Sequence, residues 1–107
     1  MKHKIFRVFT RLREGFINIM EKTLKIENKT GLHARPASMF VQEANKFQSK
    51  IKISAKGKTV DAKSILMIMS LGLTQGTELT ISAEGPDEAD ALAALSKLIE
   101  DKFGEAE

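Results

Sequence analysis

The chain predicts an α+β fold, a sheet with helices on one face, and three observations carry that reading. Four short segments alternate apolar and polar residues as half-buried strands do, and three others repeat apolar residues at helical spacing. They follow the order strand, helix, strand, strand, helix, strand, helix. Each has one apolar face, so the economical arrangement is an antiparallel or mixed sheet whose buried side is covered by the helices. A chain of 107 residues supplies one such core and is too short for two.

Residues 1–19 differ in kind from the rest. They carry Lys2, Lys4, Arg7, Arg11 and Arg13 against the single acid Glu14, and hold three of the six Phe residues. Ile5, Phe9, Leu12, Phe16 and Ile19 fall at helical spacing with cations between them. Three readings are open. The segment is a short cationic amphipathic helix for a membrane surface or a partner, or it is disordered. The third reading comes from the genetic code: purine-rich codons for Arg13-Glu14-Gly15 resemble a bacterial ribosome-binding site, which makes Met20 the natural start. Charges interrupt the apolar stretch and no small-residue cleavage site follows, so it is a poor signal peptide. Residues 1–19 are therefore set apart as a basic extension, and 20–107 as the folded domain.

From Glu21 onward the pattern is regular. Thr23-Leu24-Lys25-Ile26-Glu27 alternates as a strand, and Asn28-Lys29-Thr30-Gly31 has the chemistry of a turn. Pro36 suits the first turn of a helix because its φ is fixed and its missing N–H would have had no intrahelical partner there. A helix is thus expected to start just after His33, burying Ala37, Phe40, Val41, Ala44 and Phe47. Lys50 to Ser54 alternates, Ala55-Lys56-Gly57-Lys58 can turn, and Thr59-Val60-Asp61 can return as a hairpin. Ser64 is a good N-cap and Gly72 a good terminator for a short helix from about Ile65 to Leu71. That helix is apolar nearly all round, so something beyond the core must cover part of it. Thr77 to Ala83 alternates once more, and Gly85-Pro86-Asp87-Glu88 opens a last helix with acids in its first turn, where they meet the helix dipole favourably. Its buried stripe is Leu92, Leu95 and Ile99, with Ala91 and Leu98 beside it.

Composition narrows the function. With no Cys, disulfides and thiolate chemistry are excluded. Hydrophobic residues make up 42% and charged residues 29%, and no apolar run reaches transmembrane length, so no stable membrane insertion and a cytoplasmic location are expected. The formal charge of +3 resides in the extension; residues 20–107 hold 12 basic and 13 acidic residues, with no basic stripe or aromatic platform. Nucleic acid is therefore not an expected partner of the body.

His33 is the candidate reactive group. A histidine in a turn before a helix is more often a solvated or capping residue, but Arg35 and Pro36 change its setting. The free N–H groups at the helix start, those of Ala34 and Arg35, and the Arg35 guanidinium together suit a phosphate carried on or held beside the imidazole. No metal-ligand spacing and no nucleophile-elbow glycine pattern accompanies it, so neither a metal nor a cofactor is expected. Ser64 is explained by capping alone; as a phosphorylation site it would gain about −1.5 to −2 charges at a helix N-terminus. Ile65, Leu66 and Met69 are candidates for a docking patch, with core positions expected among Ile65, Met67 and Ile68.

Gly31-Leu32-His33-Ala34-Arg35-Pro36-Ala37, then Lys63 to Gly72, then Gln75 to Gly85, resemble the HPr family, the histidine-containing phosphocarriers of the bacterial phosphoenolpyruvate-dependent sugar phosphotransferase system. The resemblance spans about residues 20 to 107 and has no counterpart for the extension. It implies an open-faced β-sandwich, four antiparallel strands covered on one side by three helices. It implies that His33 accepts a phosphoryl group on Nδ1 from phosphorylated enzyme I and passes it to the IIA domains of sugar permeases. Such a protein is a stoichiometric carrier rather than an enzyme, and a monomer is expected. Ser64 would be the regulatory serine that an ATP-dependent kinase/phosphorylase modifies in many Gram-positive bacteria. The alternative is a regulatory binding module, either a serine-phosphorylated corepressor docking on a transcriptional regulator or a nitrogen-regulatory paralogue. A paralogue without carrier activity has no histidine at the first site, so His33 favours a carrier.

Overall fold

The computed structural model describes the backbone of residues 5–12 and 15–105, and the side chains of residues 19–105. Strand alternation does what the pattern predicts. In β3 (Lys50–Ala55), Ile51, Ile53 and Ala55 are buried while Lys50 and Lys52 face solvent. In β5 (Glu78–Glu84), Leu79, Ile81 and Ala83 are buried, and the short β4 (Lys58–Asp61) buries Val60. These strands and β2 (Gly15–Lys25) form a four-stranded antiparallel sheet in the order β2-β5-β3-β4. Three helices cover its buried side: α1 (Ala34–Ala44), α2 (Ile65–Ser70) and α3 (Glu88–Glu100).

A fifth strand, β1 (Ile5–Leu12), comes from the extension and extends the sheet at the β2 edge. It pairs antiparallel with β2 from Ile5↔Lys22 to Leu12↔Gly15, leaving two residues between the strands. This corrects the amphipathic-helix and disorder readings of residues 5–12. Helical spacing was present, but Ile, Val, Phe and Thr residues also favour a strand, and the open edge of β2 offers the backbone partners that decide the matter. The same hairpin moves the start of the first body strand, expected at Thr23, back to Gly15.

The helices follow the sequence more closely. Phe40, Ile68, Leu92, Leu95 and Ile99 are fully buried; burial of each such side chain contributes about 1.5–3 kcal/mol. The helix α1 stops one turn sooner than its stripe suggested, where the Asn45 side-chain amide donates to the Val41 carbonyl at 2.9 Å. Phe47 consequently packs on the core from the following turn. A 3-10 turn at Lys102–Gly104, absent from the sequence reading, buries Phe103 completely. Packing of α2 against α1 places the short helix beside the one that follows His33.

Candidate functional site

The loop before α1 is built to push one side chain outward. Gly31 has φ +71°, and a Cβ there would stand 2.5 Å from the Leu73 carbonyl oxygen. Leu32 donates its N–H to that same oxygen at 3.0 Å and buries its side chain, pinning the loop to the segment that leads into β5. Asn28, fully buried, closes the turn from the other side by donating to the Gly31 carbonyl at 2.7 Å. The next residue, His33, therefore emerges at the surface.

His33 is the N-cap residue of α1, and its carbonyl accepts the Ala37 N–H at 2.9 Å. Its imidazole makes no capping hydrogen bond, and half of it is exposed. The side chain therefore does not cap the helix, and half of the ring meets solvent. Ala34 and Arg35 are exposed, with amide N–H groups that no other described residue takes; Pro36 is buried in the first turn. The Arg35 guanidinium lies back along α1, donating to the Met39 Sδ at 3.2 Å, a weak acceptor that a phosphate would readily replace.

A carboxylate missed by the sequence reading reaches the same place from the other end of the chain. Glu105 follows the 3-10 turn and accepts hydrogen bonds from Thr30 Oγ1 at 2.7 Å and Asn28 Nδ2 at 3.2 Å. Its Oε2 lies 3.9 Å from His33 Nε2. The Thr30 hydrogen bond holds its carboxyl below the usual glutamate range, helped by Asn28 and by the electrostatic influence of His33 and Arg35, against the opposing effect of burial. The signal in the sequence was Phe103, an apolar residue beyond the buried stripe of the last helix with no element assigned to bury it.

Ser64 is the N-cap of α2, with its Oγ accepting the Met67 N–H at 3.3 Å. Along the helix Leu66, Met67 and Met69 are exposed, Leu66 by 78% of its surface, whereas Ile68 is buried and Ile65 half-buried against the core. Met67, expected among the core candidates, thus joins Leu66 and Met69 on the surface, and Ile65 belongs mainly to the packing beneath them. Lys56 Nζ donates to the Gly72 carbonyl at 2.8 Å and ties the β3–β4 turn to the end of this helix.

The fold and this loop define a small open-faced β-sandwich that presents a histidine at the start of a helix. A family model described as the PTS HPr component phosphorylation site matches residues 20–101, and the chain belongs to the HPr family. It is 50% identical over 82 residues to the HPr-like protein Crh of Halalkalibacterium halodurans, covering 77% of this chain and 98% of the relative. The structure of HPr-C-His from Thermoanaerobacter tengcongensis is similar with a TM-score of 0.79 and 57% identity, over 81% of this chain and 98% of that one. Bacillus subtilis Crh, solved as a swapped dimer, aligns with a TM-score of 0.63 and 47% identity, over 74% and 91% of the two chains. That dimer stands against the monomer expectation drawn from the family resemblance. No described helix is long and apolar enough to cross a membrane.

Proposed function

We propose that this protein is a phosphocarrier that accepts a phosphoryl group from phosphorylated enzyme I on His33 and passes it to sugar-specific IIA domains, acting as a stoichiometric relay without turnover of its own. The observation that carries this reading is the half-exposed His33 imidazole, engaged in no capping bond, beside the open N–H groups of Ala34 and Arg35. A neutral imidazole has one ring nitrogen that carries no proton, so that nitrogen can attack without prior loss of a proton. The lone pair of Nδ1 forms the bond to phosphorus while the bond from phosphorus to the donor breaks, and the donor's leaving atom keeps that electron pair. The helix-start N–H groups and the Arg35 guanidinium then hold the phosphoryl oxygens. Because the described hydrogen bond of Arg35 goes to a thioether, a weak acceptor, the guanidinium can follow the group in and release it, which suits a carrier better than a tight clamp.

Ser64 is the regulatory serine in this reading, and the exposed Leu66, Met67 and Met69 beside it are the surface on which partners dock. Likeness to Crh, whose B. subtilis form is described as a catabolite-repression protein, favours a second role as a serine-phosphorylated binding module for a transcriptional regulator. The two roles use different residues and can coexist. Incubation with enzyme I and radiolabelled phosphoenolpyruvate should label the protein with an acid-labile phosphohistidine, and His33→Ala should abolish that label. An acid-stable label, or one that survives in His33→Ala, rejects the carrier reading.

A further inference from the structure

The turn between β3 and β4 contains a residue that its conformation does not favour. Ala55 pairs with Lys58, so Lys56 and Gly57 alone connect the strands, with φ +54° and +79°. Two-residue hairpin turns in which both φ values are positive favour Asn-Gly, because a short polar side chain tolerates the left-handed region and Gly is free in it. Lysine gains nothing local there. What it has that asparagine lacks is reach: its Nζ crosses to the Gly72 carbonyl at 2.8 Å, just beyond the end of α2. That helix has few holds of its own. Of its six residues only Ile68 is buried, and its last turn has no basic residue to meet the final carbonyls. Lys56 supplies, from another element, the cation that the helix end lacks.

We propose that Lys56 is a positioning residue for docking: by holding the Gly72 carbonyl it fixes the end of α2, and with it the placement of the exposed Leu66, Met67 and Met69 that a partner covers. This rests on the reading of that face as the docking surface. Gly72 has φ +59° and donates its N–H back to the Met69 carbonyl at 3.2 Å, while Leu71 donates to the Ile68 carbonyl at 3.1 Å. The last turn thus closes where Met69 faces solvent. A six-residue helix is too short to persist on its own hydrogen bonds, so its ends decide its order. Ser64 holds the first end through the Met67 N–H, and Lys56 holds the second. A partner that meets a helix already fixed at both ends loses less freedom on binding than one that must order it first. The strap therefore acts on docking affinity and leaves the phosphoryl step to the His33 loop.

Lys56→Asn in the full chain separates the two demands on this position. Asparagine suits the turn but is too short to reach Gly72, so the thermal midpoint should hold or rise while the end of α2 loosens. Expected are amide exchange roughly threefold faster at Leu71 and Gly72, the scale of one cation at an exposed helix C-terminus, and a similar rise in the concentration of enzyme I needed for half-maximal labelling. The maximal rate should stay unchanged. Lys56→Arg keeps a donor of sufficient reach and should restore both values. Leu66→Ser is the reference in the same assay. If Leu66→Ser raises the half-maximal concentration and Lys56→Asn does not, the proposal alone is overturned, whatever happens to exchange. A rise that Lys56→Arg fails to reverse, or a lower maximal rate in Lys56→Asn, also overturns it. If Leu66→Ser leaves the half-maximal concentration unchanged, the docking reading falls and the proposal with it.

Discussion

The Ser64 Oγ accepts the Met67 N–H at 3.3 Å, so the serine that caps α2 stands at the edge of the helix's exposed apolar face. Aspartate is as good an N-cap as serine, so Ser64→Asp should leave α2 and the thermal midpoint essentially unchanged. It should nonetheless weaken transfer from enzyme I, because a carboxylate next to Leu66 and Met67 must be desolvated when a partner covers them. The effect should be largest at low protein concentration, where docking limits the rate. Undiminished labelling there would remove Ser64 from the regulation of docking.

Leu66 tests the surface itself. With 78% of its area exposed it contributes little to the core, so Leu66→Ser should change stability by under about 0.5 kcal/mol. If the α2 face is where enzyme I or a IIA domain docks, the same change should raise the concentration of partner needed for half-maximal transfer several-fold while leaving the reactivity of His33 toward a small phosphoryl donor intact. Equal loss with both donors would show that Leu66 acts on the histidine rather than on docking.

Acid should unlock a different part of the molecule. Asp87 accepts the Gln48 and Ser49 N–H groups at 2.9 and 3.0 Å and the Ser49 hydroxyl at 2.5 Å, tying the start of β3 to the start of α3. The Ser49 hydroxyl bond, followed by the one from Gln48, holds its carboxyl below the usual aspartate range. A group whose folded pKa is lowered stabilises the fold fully above its unfolded pKa and loses that contribution as the pH falls through the folded value. Asp87→Asn should therefore melt earlier than the unaltered protein at pH 7, and the difference should shrink in titrations below about pH 4, the ordinary aspartate range. A gap between the two melting curves that persists undiminished at pH 2 would place the effect in packing instead.

The body of the fold was legible in the sequence because each element has a single apolar face of the right period. Ile51 and Ile53, Leu79 and Ile81, and Leu92, Leu95 and Ile99 all point where alternation or helical spacing puts them. His33 and Ser64 were legible because both sit at helix starts, which have strong local signatures. What could not be read locally was decided by distant partners. Residues 5–12 carry both a helical and a strand pattern, and pairing with β2 selects the strand. Met67 looks as apolar as Ile68, and only the position of α1 beneath α2 tells which of the two is covered. Glu105 lies 75 residues from Thr30, so its place beside His33 depends on the left-handed turn at Lys102 and Phe103, a conformation that those residue types do not advertise.

Residues 1–19 invite the last prediction. Among described residues the buried hydrophobic core runs from Leu24 to Phe103, and β2 keeps its pairing to β5 from Met20 to Lys25 without help from β1. A chain starting at Met20 should therefore fold, melt within a few degrees of the full chain, and take label on His33 at the same rate. Its β2 edge, however, loses the partner that β1 supplies from Ile5 to Arg7, and unpaired strand edges recruit other strands. Sedimentation should accordingly show more self-association in the shortened chain at high concentration, and none beyond the full chain's if β1 does not protect that edge. Mass analysis of the protein from its native source decides which form operates: a species beginning at or just after Met20 makes the open edge the natural state, and an intact Met1 species makes the five-stranded sheet the working one.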